Sequence, residues 1–171
     1  MKDQLPIAFF GSLRDADLFE IVVGKPLCDY EHHQGCIHDY QLNTALKQAY
    51  PVLIPQKGAQ IEALIVWGLT AEDIVRLQFY ETVEYQLGDI EVVIEGDKNP
   101  ALCFQAIIEN IQASDKKWSF TLWQQETKHF ALKEAEIAMA YCGKLSHQEI
   151  EDMWPEIERQ VKESFITHSK S

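Results

Sequence analysis

The stretch that most constrains this chain is PIAFFGSLRD, Pro6 to Asp15. An apolar run ends abruptly at Gly11-Ser12, and charges begin at Arg14. A short apolar run bounded by turn residues predicts a buried strand over residues 6–10. Apolar residues then recur at Leu18, Phe19, Val22 and Val23, a helical spacing within Asp15 to Val23. Gly24, followed by Lys25-Pro26, closes that helix. The chain must therefore pass from strand to helix within a few residues, which gathers successive backbone N–H groups at one point. Such a point suits a carboxylate or oxyanion, because the first N–H groups of a helix have no partner inside it. Glycine lets a ligand approach the backbone, and Ser12 adds a hydroxyl donor. An ordinary tight strand–helix turn uses the same residues, so the stretch alone leaves both readings open.

Further along, CIHDYQLNTAL reads as extended, and YPVLIP as a short apolar piece bracketed by two prolines. QIEALIVWGL predicts another strand. Thr70 and Asp73 form a capping box that opens the short helix AEDIVRLQFYE. DIEVVIE and LCFQAIIE then flank GDKNPA, a hairpin by its turn residues. From about Trp118 the pattern is helical: FTLWQQETKHFALKEAEIAMAYCGKL predicts one helix stopping at Gly143. Ser146 and Glu149 open a last helix that Pro155 should kink or divide, with THSKS loose at its end. Strands first and helices later favour an α+β fold.

A formal net charge of −12, from 15 Lys+Arg against 27 Asp+Glu, repels phosphate backbones and anionic surfaces. Nucleic acid and membrane are therefore not expected partners. No apolar run approaches a membrane span, and MKDQLPIAFF lacks the core of a signal peptide, so a cytoplasmic location is expected. Cys28, Cys36, Cys103 and Cys142 then read as free thiols.

A second stretch can carry chemistry. In LQFYETVEY, Glu81 sits where the short helix gives out, amid Leu77, Phe79, Tyr80, Val83 and Tyr85. Desolvation there would raise its proton affinity, as suits a general base near neutral pH; otherwise it points into water, as most glutamates do. Glu84 and Asp89 compete for the same role.

The order of these pieces resembles the gamma-glutamyl cyclotransferase-like family, which includes gamma-glutamylamine cyclotransferases and the plant avirulence-induced-gene proteins. That family carries a YGSL or YGTL turn near its N-terminus and a later glutamate in a segment like L-x-x-(F/Y)-E-x-x-x-Y. Here the turn is Phe10-Gly11-Ser12-Leu13 and the acid is Glu81, followed by Tyr85, with YPVLIP between them. The resemblance covers roughly residues 6–110. Phe10 departs from the family's tyrosine and removes a phenolic hydroxyl.

The resemblance implies a small, partly closed, mostly antiparallel β-barrel over residues 1–115, with flanking helices and a helical C-terminal extension, residues 116–171, packed on it. It implies a small gamma-glutamyl substrate, cyclised to 5-oxoproline with release of an amine. Glu81 would be the catalytic acid and base, and Phe10, Gly11, Ser12, Leu13 and Tyr85 would bind substrate. No metal or organic cofactor is required for that reaction. Arg14 and the stretch from Gln48 to Pro51 are candidates to line the open end of the site.

Three other readings compete. Cys28, His32, His33, Cys36 and His38 are dense enough for a zinc hypothesis, but their spacing matches no common template. Cys103 and Cys142 lack a recognisable nucleophile turn and read as core. A barrel that binds without turnover is the rival of a different class. It would use Trp118, Trp123, Met139, Met153 and Trp154 as a partner surface, unless these simply pack against the barrel.

Overall fold

The computed structural model describes residues 4–46, 48–107 and 111–169. Six strands and five helices are present among them: β1 (Ile7–Phe9), α1 (Ala16–Val23), β2 (His32–Ala45), β3 (Pro51–Val66), α2 (Ala71–Glu81), β4 (Tyr85–Ile94), β5 (Asp97–Ala106), β6 (Ala113–Lys117), α3 (Phe120–Glu126), α4 (Lys128–Met139) and α5 (His147–Ser169). The strands run in the order β3-β1-β5-β4-β2-β6, and β2 also pairs with β3. That extra pairing brings the order back on itself, so the sheet is a partly closed ring. All strand pairs are antiparallel except β1 with β5. The fold is α+β, and no described helix is long and apolar enough to cross a membrane.

β1 shows why the ring is two-sided. Successive strand residues point to opposite faces. Ile7 and Phe9 therefore join the core shared with α1, α2, α4 and α5, while Ala8 and Phe10 face the core built from Ile37, Ile65, Val92 and Cys103. β3 repeats the division, with Leu64 and Val66 on the helix side and Ala63 and Ile65 on the other. Trp123 and Met139 are buried, and Trp118, Met153 and Trp154 are half-buried against the core, so these residues pack the helices onto the sheet. They do not form a free partner surface.

Several boundaries differ from the sequence reading, each for a local reason. The proline-bracketed piece and the strand after it are one strand, β3. Pro55 pairs with Tyr40 of β2. β1 flanks β3 only at Leu64–Val66, so the N–H that Pro55 lacks has no second ladder to serve. His38 pairs with Gln60 but Tyr40 with Pro55, so residues 56–59 bulge opposite Asp39, whose carboxylate accepts from Gly58 N–H at 2.8 Å. The β4–β5 turn falls earlier than expected, at Glu95-Gly96, where both residues take positive φ (50° and 86°). This left-handed pair matches the twist of a tight hairpin.

β6, the polar stretch ASDKK, lacks the hydrophobic alternation that marks a strand, yet it pairs with β2. The expected single helix after Trp118 is two, divided at Thr127. Pro155 does not divide α5; it faces solvent, where water can take the carbonyl its ring leaves unpaired. Thr167, His168 and Ser169, expected to be loose, belong to α5; Lys170 and Ser171 lie outside the described residues.

Candidate active site

The site begins at the end of β1. Gly11 leads into a 3-10 turn, Ser12–Arg14, and Asp15 then caps α1 by accepting from the N–H groups of Asp17 (3.1 Å) and Leu18 (3.2 Å). Within the turn, Arg14 N–H donates to Gly11 O at 3.2 Å and Asp15 N–H to Ser12 O at 3.0 Å. No backbone carbonyl of the described residues accepts from the N–H groups of Gly11, Ser12 and Leu13. A side chain at Gly11 has no room, because a Cβ there would lie 2.8 Å from Cγ of Pro51. Asp15 also accepts from Gln124 Nε2 (2.9 Å) and Lys128 Nζ (2.8 Å), which ties this turn to α3 and α4. Burial pushes the Asp15 carboxyl up, but Lys128, Gln124 and the Leu18 N–H outweigh it and hold it below the usual carboxylate range.

Glu81 is the last residue of α2. The next residue, Thr82, has φ 57° and ψ −151°, a conformation rare for a β-branched residue. It turns the chain sharply, so that Glu81, Glu84 and Tyr85 reach one cavity instead of following the helix axis. The cavity holds about 720 Å³ of empty space when its open mouth is included.

All six residues expected to form a site line this cavity: Glu81, Phe10, Gly11, Ser12, Leu13 and Tyr85. Phe10 and Ser12 are each only 7% exposed. Burial, and then the neighbouring Glu84 charge, push the Glu81 carboxyl up to about 8. Glu84 also lines the cavity and is pushed up to about 7 by burial and by Glu151. Asp89 does not line it. Burial raises the phenols of Tyr50, Tyr80 and Tyr85 well above their ordinary value, so all three remain hydroxyl donors.

Supporting bonds fix the walls. Tyr85 Oη donates to Pro51 O at 3.3 Å, linking β4 to the proline that abuts Gly11. Trp118 Nε1 donates to Ala49 O at 2.9 Å, and Gln48 Nε2 to Glu84 Oε1 at 3.3 Å. Of the candidates for the open end, Gln48, Tyr50 and Pro51 line the cavity. Arg14 does not; it pairs with Glu62 at 2.9 Å and lies 4.4 Å over the Phe120 ring. Glu151 and Trp154, from α5, complete the wall, and sequence reasoning missed their place there. Glu151 looks like any acid on a solvated helix, so no local signal marks it.

The competing readings fare differently. Among the described residues, no group of three or more His, Cys, Asp or Glu gathers to hold a metal ion. His32, His33, Cys36 and His38 are strung along β2. Burial pushes the Cys103 thiol up to about 11, the reverse of what a nucleophilic thiolate needs.

A family model described as "Gamma-glutamyl cyclotransferase, AIG2-like" matches residues 7–125. The chain belongs to this family. The match spans the turn, Glu81 and Tyr85, and stops before α4 and α5. AIG2-like protein C of Arabidopsis thaliana is 19% identical over 121 residues, covering 70% of this chain and 69% of its own. A solved structure named gamma-glutamyl cyclotransferase superposes with a TM-score of 0.54 at 15% identity, covering 89% of this family member and 98% of that chain. A second Arabidopsis thaliana protein, solved in solution, gives 0.57 at 12% identity over 73% and 75% of the two chains. Likenesses at such low identity speak for the fold.

Proposed function

We propose that the protein is a gamma-glutamyl cyclotransferase that converts a gamma-glutamyl amide to 5-oxoproline and a free amine. The single observation supporting this is that the Gly11–Leu13 turn and Glu81 line one cavity. In this reading the N–H groups of the turn hold the substrate's anionic oxygens, with Ser12 as a further donor. The substrate's α-amine is the nucleophile, so holding the folded-back conformer supplies much of the acceleration.

The Glu81 carboxylate takes a proton from the α-ammonium. The freed amine then forms a C–N bond to the γ-carbonyl, and the carboxylic acid returns that proton to the leaving nitrogen as its C–N bond breaks. The lactam nitrogen gives up its surplus proton through the same carboxylate, and this proton ends on the released amine. A carboxyl that titrates near 8 can both accept and donate near neutral pH. The C-terminal extension acts in this reading to finish the cavity wall through Glu151 and Trp154 of α5.

The deciding experiment is Glu81→Gln, assayed with a panel of gamma-glutamyl amino acids and amines. The fold should persist and 5-oxoproline release should fall by about 10²–10⁴. Retained turnover removes Glu81 from the mechanism. One observation favours a second reading: Phe10 lines the cavity where the family has tyrosine. Binding of the same compounds by the wild-type protein without conversion would make it a binding module.

A further inference from the structure

The proposed reaction builds negative charge on one oxygen beyond those assigned to the Gly11–Leu13 turn. The turn holds the oxygens that are anionic from the outset, those of the α-carboxylate. As the amine bonds to the γ-carbon, the carbonyl electron pair moves onto the γ-oxygen, and it returns when the bond to the leaving nitrogen breaks. A donor fixed at that oxygen lowers the barrier, because the charge there is greatest in the transition state. Of the ring residues on the wall, Phe9, Phe10 and Phe104 carry no hydroxyl, and Tyr85 Oη is committed to Pro51 O at 3.3 Å. Two phenols remain, Tyr50 and Tyr80.

Tyr80 is the one held in place. It is only 8% exposed, and its ring meets the Trp154 ring edge-on, with centroids 5.9 Å apart and planes at 74°. Its hydroxyl nevertheless bonds to nothing among the described residues. The sealed side-chain polar atoms without a partner are Gln48 Oε1, Trp123 Nε1 and Trp154 Nε1, and Tyr80 Oη is not one of them. An unbonded hydroxyl that is not sealed, on a buried side chain that lines the cavity, opens into it. Tyr50, by contrast, is half-buried on the loop between β2 and β3. A buried donor left without an acceptor costs free energy, which a ligand oxygen would recover.

Its position relative to Glu81 fits the task. Tyr80 and Glu81 are consecutive residues of α2, so their side chains leave the helix about 100° apart. Both still line the cavity, and they therefore approach a ligand from different sides. A tetrahedral carbon needs that division: the base serves its two nitrogens and the donor its oxygen. Burial, and then the Glu81 charge, hold the Tyr80 phenol well above its ordinary value, so it donates a hydrogen bond and keeps its proton. Resting on the cyclotransferase reading, we infer that Tyr80 is a second catalytic residue, whose hydroxyl donates to the γ-oxygen of the substrate as it becomes an oxyanion.

Tyr80→Phe removes the hydroxyl alone, and the gamma-glutamyl amides of alanine and of butylamine read the effect. The kcat should fall by about 10²–10³ on both amides with KM little changed, because the same oxyanion forms whichever amine leaves. The urea midpoint should not fall, because the lost hydroxyl bonds to nothing inside the protein. An unchanged kcat, a loss carried by KM, or a loss on one amide only overturns the inference. A lower urea midpoint overturns it too, by giving the hydroxyl a structural partner. If the wild-type protein releases 5-oxoproline from neither amide, the cyclotransferase reading fails, and calorimetry with 5-oxoproline itself decides on the donor. Its lactam oxygen stands where the oxyanion would, so binding about two- to tenfold weaker in Tyr80→Phe would sustain the donor. Equal binding by both proteins, or none by the wild type, would end it.

Discussion

Replacing Glu81 with glutamine should make the protein more stable, and increasingly so as pH rises. Burial lifts the carboxyl of Glu81 from 4.5 to about 8, while in the unfolded chain it returns to its ordinary value. Between those values the folded protein holds a proton that the unfolded chain has released. Wild-type stability therefore falls as pH climbs from about 4.5 to about 8 and levels off above. Glutamine resembles the protonated acid in shape and cannot ionise, so the variant escapes this loss.

At about 1.4 kcal/mol per pH unit, the advantage of the variant grows by at most about 4 kcal/mol between about pH 5 and about pH 9. Water reaching Glu81 through the cavity mouth lowers that ceiling, and an increase of at least about 1 kcal/mol is expected. Urea unfolding of both proteins at the two pH values measures it. Taking the difference at each pH removes the groups that do not interact with Glu81; Glu84, whose charge Glu81 feels, does not cancel, and its coupling to Glu81 is part of the growth. A stability difference that does not grow with pH would mean that the Glu81 carboxyl is fully hydrated, and the argument for it as a base tuned by desolvation would fail.

Two substitutions test the frame around the cavity. Asp15→Ala should cost about 1–3 kcal/mol in denaturant unfolding at neutral pH, because it removes a helix cap and the acceptor of Gln124, while Lys128 keeps Asp17 at 2.7 Å. Since the carboxyl of Asp15 is held low, its contribution is present above the usual carboxylate range and lost as pH falls through it, so the cost should shrink in acid. Gly11→Ala should cost about 1–3 kcal/mol by forcing the turn away from Pro51, and should abolish 5-oxoproline release while the fold survives. A variant with full activity would show that the turn need not hold its present geometry.

Much of the local structure was legible because local physics sets it. The Thr70–Asp73 capping box forms as written, with Asp73 N–H donating to Thr70 Oγ1 at 3.2 Å and Thr70 N–H to Asp73 Oδ2 at 2.9 Å. The same holds for Ser146 and Glu149. The errors fell where pairing is non-local. ASDKK becomes a strand only because β2 offers it an edge, and the prolines of β3 are tolerated only because little pairs beyond them.

The sequence by itself determined that a buried strand would stop at Gly11-Ser12, that a capped helix would end at Glu81, and that strands would precede helices. Each of these rests on neighbours within a few residues: side-chain alternation, helix periodicity and the pairing of orphaned N–H groups. Only the tertiary structure decided that Glu81 shares its hollow with Glu84, with Glu151 from a distant helix and with an unpaired Gln48 acceptor. Proton affinity and charge recognition depend on how much water and which charges surround a group in space, and chain separation says almost nothing about either.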